Sequence, residues 1–253
     1  MHHSIFNYSF IILLLTSSSL VLADNDDPEP VEIINELFMS DTVFSQEKGE
    51  WQLTISPQFE KDNENERFST PIGLEYGITN QFQVELEYTP YISLDSDDEG
   101  SQSGRGNFEL GLQYSWANIN ESSISAAVAY EHEFAKGDQA VVGEDGESPK
   151  DEDNIFIVLA KSIDPQGNTQ AFLQVGREFQ DSEKETYFNA GLYSNRGSYT
   201  LSGELNWTEE QSFITPGITW KPAEDWEFGV GAPIGVDGEA DFKIISNIIY
   251  EWE

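Results

Sequence analysis

Phe82-Gln83-Val84-Glu85-Leu86-Glu87-Tyr88 decides the fold of this chain. Every second residue is apolar, and polar residues fill the positions between. An extended strand points successive side chains to opposite faces, so this stretch has one oily face and one wet face. The alternation recurs in twelve short segments from about Glu50 to Trp252, as in Trp51/Leu53/Ile55/Phe59, Ala171/Leu173/Val175 and Trp226/Phe228/Val230. The sixth segment, about Asn154 to Ile163, is apolar on both faces (Ile155, Phe156, Ile157, Val158), so its parity stays open. Alternation alone allows a soluble sandwich or a barrel with a wet interior.

Three features favour the barrel. Residues 1–23 read as a signal peptide: an apolar run from Ile11 to Leu15, then Val21-Leu22-Ala23 before Asp24, with an uncleaved anchor as the alternative. Connection length follows connection parity. The even connections (Gly77 to Asn80, Ala117 to Glu121, Asp164 to Asn168, Asn195 to Gly197, Lys221 to Asp225) are short. The odd ones include the two longest, Ile92 to Arg105 and Ala135 to Asp153. Outer-membrane barrels have tight periplasmic turns and longer outer loops. Finally, Trp51, Trp116, Trp220, Trp226 and Trp252 all fall at strand ends on the tight-turn side, and Trp207 at the other. With Tyr76 they form a candidate aromatic belt, since these rings favour the membrane–water interface. The fold class is therefore all-β: an antiparallel up-and-down transmembrane β-barrel of about twelve strands. It spans residues 49–253, after an N-terminal periplasmic segment, 24–48. Val31, Ile34 and Phe38 lie at helical spacing and could make a short amphipathic helix, read as peripheral rather than as a plug. Pro57, Pro71, Pro216 and Pro233 fall inside proposed strands, where each removes a ladder hydrogen bond that bulges must absorb.

The chain has 47 acidic and 12 basic residues, a formal net charge of −35, and no cysteine. That charge repels nucleic acid and favours cations, cationic solutes or divalent-ion bridging to anionic surfaces. Without cysteine there are no disulfides, thiolate metal sites or lipidated cysteine.

Gly73-Leu74-Glu75-Tyr76-Gly77-Ile78-Thr79-Asn80-Gln81-Phe82-Gln83-Val84-Glu85-Leu86-Glu87-Tyr88 is a strand–turn–strand unit. It resembles hairpins of the outer-membrane barrels grouped as the MetA-pathway of phenol degradation family, and of related transporter-like porins. Lys48-Gly49-Glu50-Trp51 is similar to the start of that family's first strand. The resemblance implies a bacterial outer-membrane channel for small organic molecules and carries over no defined site. Such barrels end in an aromatic residue for the assembly machinery; here Trp252 is penultimate and Glu253 follows.

By alternation the inward face holds Glu75, Glu85, Glu87, Glu109, Gln113, Glu131, Glu133, Glu204 and Glu227, the candidate solute path. A carboxylate-lined aqueous lumen favours cations. The alternative is a small barrel whose polar core is packed and conducts little. The leading expectation is passive passage of small polar, cationic or organic solutes; a scaffold acting through acidic loops comes second and a lipid hydrolase third. His132 faces outward near the loop-side rim, where lipid-facing barrel enzymes place a histidine and serine, but no Ser/Asn set surrounds it. Asp95-Ser96-Asp97-Asp98-Glu99-Gly100 starts like a calcium loop, yet its twelfth position is Gly106 rather than Glu. The acidic run Glu144 to Asp153 reads as a solvated loop. No enzyme activity, catalytic set, metal site or cofactor is expected. The expected partners are outer-membrane lipid and lipopolysaccharide, small solutes and the barrel-assembly machinery, with no nucleic acid.

Overall fold

The computed structural model describes residues 34–61, 65–96, 100–119, 122–142, 149–181, 183–209, 211–236 and 242–253. The leader, Asp24 to Glu32, the central acids Asp97 to Glu99, and Glu144, Asp145 and Glu147 lie outside them. The strands close into one antiparallel barrel of twelve strands. Neighbours in sequence are neighbours in space, and the first strand completes the circle on the last, with Trp51 opposite Trp252 and Ile55 opposite Ile248.

The barrel is apolar outside and polar inside. Glu204 is 1% exposed, and Leu205 beside it is 56% exposed; Gln174 is 1% and Val175 38%. Buried Gln52, Thr54, Glu75, Gln113, Asn189, Asn206, Thr215 and Asn247 point inward, while Leu86, Ile157, Leu173, Leu201, Ile218 and Val230 form an exposed apolar wall. This is the inversion a transmembrane barrel needs, because hydrocarbon replaces water at the outer wall. The sixth strand, Glu152–Ser162, resolves its parity: Ile155, Ile157 and Leu159 face out, and Phe156, Val158 and Ala160 face in.

Pro57, Pro71 and Pro233 each fall between two strand segments rather than within one. The Pro57 and Pro71 breaks sit beside those at Thr89–Tyr91 and Arg105–Asn107, and hydrogen bonds still cross the row. Ser56 N donates to Pro71 O (2.9 Å), Thr70 N to Tyr91 O (3.2 Å) and Gly106 N to Thr89 O (2.8 Å). Aligned breaks let each proline lose its donor without opening the wall. Pro216 stays inside Ser212–Ala223, its carbonyl accepting from Ala232 N (3.0 Å).

The stretch Ile92 to Arg105, expected as a long loop, continues the hairpin: Ile92–Ser96 pairs with Gly100–Gly104. Beyond the apolar layer, strands need no oily residues, so hydrophobic alternation misses them. The connection 117–123 is longer than 181–182. Loop length therefore separates the two ends less sharply than the sequence reading holds.

The aromatic girdle separates them better. On the end carrying the 80–81, 196–198 and 224–225 turns, rings run in contact along the outer wall. The series is Tyr199–Trp220 (6.5 Å between centroids), Trp220–Phe228 (5.9), Phe228–Trp226 (5.9), Trp226–Tyr250 (4.7), Tyr250–Trp252 (5.6), Trp252–Trp51 (6.2) and Trp51–Tyr76 (4.4). Trp116 contacts Tyr114 at the same end, at 4.7 Å, and Trp207 lies at the opposite one against Phe188. These separations are those of favourable ring pairs.

Candidate functional site

The lumen is partly filled by the chain itself. Residues 34–46 run through the barrel without regular structure, so the described part, 34–38, of the short peripheral helix expected from Val31 to Phe38 is not helical. Their backbone is satisfied by inward side chains in place of a helix ladder. Glu204 accepts the N–H groups of Phe38 (2.9 Å) and Met39 (3.1 Å), and Gln174 Oε1 that of Asp41 (3.1 Å). Gln113 donates to Phe44 O (2.9 Å), Asn189 to Met39 O (3.2 Å) and Asn247 to Leu37 O (3.3 Å).

Two inner surfaces receive the segment's apolar side chains. Ile34, Leu37, Val43 and Phe44 cluster with Ala127, Ala129, Phe156, Val158, Ala160 and Phe172, which is why the sixth strand is apolar on both faces. Phe38 lies on a floor made by Gly217, Gly229 and Gly231; a β-carbon on Gly217 or Gly231 would collide with its ring. Ile34 and Phe38 thus pack on two separate inner surfaces rather than along one helix face, and Val31, the third residue of that spacing, lies outside the described residues.

Beside the segment lies a cavity of about 270 Å³. Among the described residues its lining holds seven carboxylates and no Lys or Arg: Glu36 and Asp41 from the inserted segment, and Glu75, Glu85, Glu87, Glu109 and Glu131 from the wall. Gln113 lines it too. Neutral amides hold the inner end. Gln52 Nε2 donates to Glu75 (2.7 Å) and Glu36 (2.9 Å), and Gln83 Nε2 to Glu75 (2.8 Å). Asn154 donates to Glu131 (2.9 Å).

Strand register arranges the acids in rows. Glu75 is opposite Glu85, and Gly111 then separates Glu85 from Glu131. Nearer the loop-side rim, Glu87, Glu109, Glu133 and Glu152 stand directly opposite one another on four consecutive strands. Glu178 and Glu185 form a further inward pair. Like charges directly opposite destabilise a sheet unless something neutralises them. Of the glutamates named from sequence, Glu133 accepts from Asn107 (2.7 Å) near the rim, Glu204 anchors the inserted segment, and Glu227 is buried; none of these three lines the cavity. Glu152, Glu178 and Glu185 were missed, although extending the alternation past the apolar residues finds them. Glu36 and Asp41 carry no sequence signal, because only the insertion places them.

His132 faces outward and meets Asp153 (Nδ1–Oδ1 2.8 Å), which also accepts the Tyr130 hydroxyl (2.6 Å). An acid thus orients the histidine, but its register partner Leu110 and the same-face Tyr130 and Phe134 offer no serine, threonine or cysteine nucleophile. Among the described residues, no group of three or more His, Cys, Asp or Glu is arranged to hold a metal ion.

No protein-family model matches the chain, and no curated protein matches it. Solved structures do. The COG4313 outer membrane channel from Pseudomonas putida F1 aligns with a TM-score of 0.62 at 10% identity, over 83% of this chain and 98% of that one. The KdgM porin aligns with a TM-score of 0.56 at 11% identity, over 79% and 98%. At these identities the likeness is one of fold: this chain shares the barrel of outer-membrane channels.

Proposed function

We propose that this protein is a bacterial outer-membrane channel. It passes small cations and small cationic or polar organic solutes passively along the acidic side of its lumen. The observation that carries the reading is the row Glu87–Glu109–Glu133–Glu152, facing inward beside a cavity with no basic residue among the described residues of its lining. Such a row is relieved by protons or by cations, and a wet lumen supplies cations. Glu75, Glu85, Glu87, Glu109, Gln113 and Glu131 line the path, and residues 34–46 narrow it from the other side. The apolar outer wall and the aromatic girdle fit an outer membrane, with the tight turns toward the periplasm. Export by the 1–23 leader and insertion by the barrel-assembly machinery, reading the strand that ends at Trp252, belong to the same reading.

The test is conductance in planar bilayers with a salt gradient. Cation-selective current is the expected result. Absence of both current and liposome uptake for every tested solute overturns transport and leaves the fold intact.

The filled lumen favours a second reading, a surface scaffold acting through its acidic rim. Deleting the rim loop at 135–151 would then abolish a binding phenotype while permeability stays unchanged.

A further inference from the structure

We infer that the outer wall of the seventh and eighth strands, Thr169–Gln180 and Glu183–Asn195, carries a binding site for the phosphates of lipid A, the lipopolysaccharide anchor. The inference rests on the outer-membrane reading above. Among the described residues, the last register row near the loop-side rim that is apolar across all four of these strands is Ile157–Val175–Phe188–Trp207. All four are exposed, and Trp207 stacks obliquely on Phe188 (5.6 Å), marking the interface on this side. One row further out Ile155, Arg177 and Thr186 stand opposite one another, and beyond them Asp153, Phe179 and Lys184.

Arg177 and Lys184 are both exposed on this outward face. They flank one ring, with the Arg177 guanidinium 5.7 Å and the Lys184 ammonium 5.8 Å from the centre of Phe179. Neither forms an ion pair among the described residues, in a chain with four acids for every base. By contrast Lys61, Arg105, Lys221 and Lys243 each have a carboxylate partner. Asp153, opposite Phe179, has its Oδ1 engaged by Tyr130 and His132. Asp181 in the adjoining turn faces Lys150 at 4.0 Å.

Two uncommitted cations held on an aromatic plate, just beyond the interfacial tryptophan, match an anionic headgroup at phosphate depth. The guanidinium supplies a planar fork of donors, and the ammonium a point charge. Simple snorkelling of the two side chains would need no phosphate and would show no preference among lipids. The end opposite the aromatic turns faces outward in this reading, and the outward leaflet carries lipopolysaccharide.

The test titrates diphosphorylated lipid A, monophosphorylated lipid A and phosphatidylglycerol into the detergent-purified full chain, reading bound lipid by native mass spectrometry. The wild type should prefer diphosphorylated lipid A. The Arg177→Gln/Lys184→Gln variant should bind it about tenfold or more weakly, whereas Lys161→Gln, at the opposite end, should bind like the wild type. Equal binding by the double variant, an equal loss in Lys161→Gln, or equal affinity for phosphatidylglycerol overturns the site. Heat-dependent gel mobility, read on every variant, tests the barrel separately: its absence overturns the membrane reading rather than the site.

Discussion

The Glu204 carboxylate holds the backbone N–H of Phe38 at 2.9 Å, across 166 residues of sequence, and that of Met39 at 3.1 Å. One inward glutamate thereby fixes the turn of the segment that fills the lumen. Glu204→Ala strands both donors, at about 1–3 kcal/mol each. The expected outcome is release of residues 34–46: Met39→Cys becomes reactive to a membrane-impermeant maleimide, and single-channel conductance rises. Unchanged labelling in the Glu204→Ala background would refute the anchoring role.

The glycine floor gives an independent handle on the same segment. Gly231→Val should expel Phe38, and Phe38→Ala should leave a void costing about 3–5 kcal/mol. The two changes together should cost less than their sum, because the new side chain occupies the vacated space. Thermal unfolding of the four members of the cycle measures the coupling.

Glu85→Gln/Glu109→Gln/Glu131→Gln removes three of the charges lining the cavity. The ratio of cation to anion permeability should fall at least about threefold toward unity, with heat-dependent mobility retained. Reversal potentials across a salt gradient read the change.

Arg105 and Asp138 pin the connection that follows the strand Ile124–Phe134. The Asp138 carboxylate accepts from Arg105 N (2.9 Å), Nε (3.3 Å) and Nη2 (3.2 Å). The hydrogen bond from the Arg105 side chain, first, and that from its backbone hold this carboxyl below its ordinary value. A depressed acid stabilises the fold above its unfolded value, near 3.9, and loses that contribution as the pH falls through the lower folded value. Proteolytic protection of residues 135–142 should hold at neutral pH and fall in acid below about pH 4. Asp138→Asn should be less protected at neutral pH and lack the acid step.

The girdle predicts fluorescence depth. Lipids brominated near the headgroup should quench Trp51, Trp116, Trp220, Trp226 and Trp252 from one leaflet, and Trp207 from the other. Single-tryptophan variants in asymmetric vesicles measure it, and mixed sidedness among the five would contradict the belt.

The membrane-embedded strands were legible because lipid imposes a strict period of two, as Phe82 to Tyr88 shows. Outside the lipid that constraint lapses, so the paired segments Ile92–Ser96 and Gly100–Gly104 looked like loop. The wall carboxylates Glu75, Glu85, Glu87, Glu109 and Glu131 were readable by parity, and the register then set them in rows. Glu36, Asp41 and the role of Glu204 were not readable. Their meaning depends on contacts more than a hundred residues away, between an irregular segment and glycines or amides that have no periodic signature. The inner apolar run Phe156-Val158-Ala160 is the trace of that segment, since an aqueous lumen has no use for phenylalanine.

The seam between Trp51–Ile55 and Ile248–Trp252 joins the two extremes of the cylinder. Residues 34–46 lie enclosed by that cylinder and immediately precede one lip of the seam. During biogenesis they must either be gathered onto the curling sheet before its lips meet, or be threaded afterwards through an end. The first route makes Glu204 and the glycine floor, on late-synthesised strands, a template waiting for an early-synthesised ribbon. Order of assembly, rather than equilibrium affinity alone, then decides whether the finished cylinder is born shut.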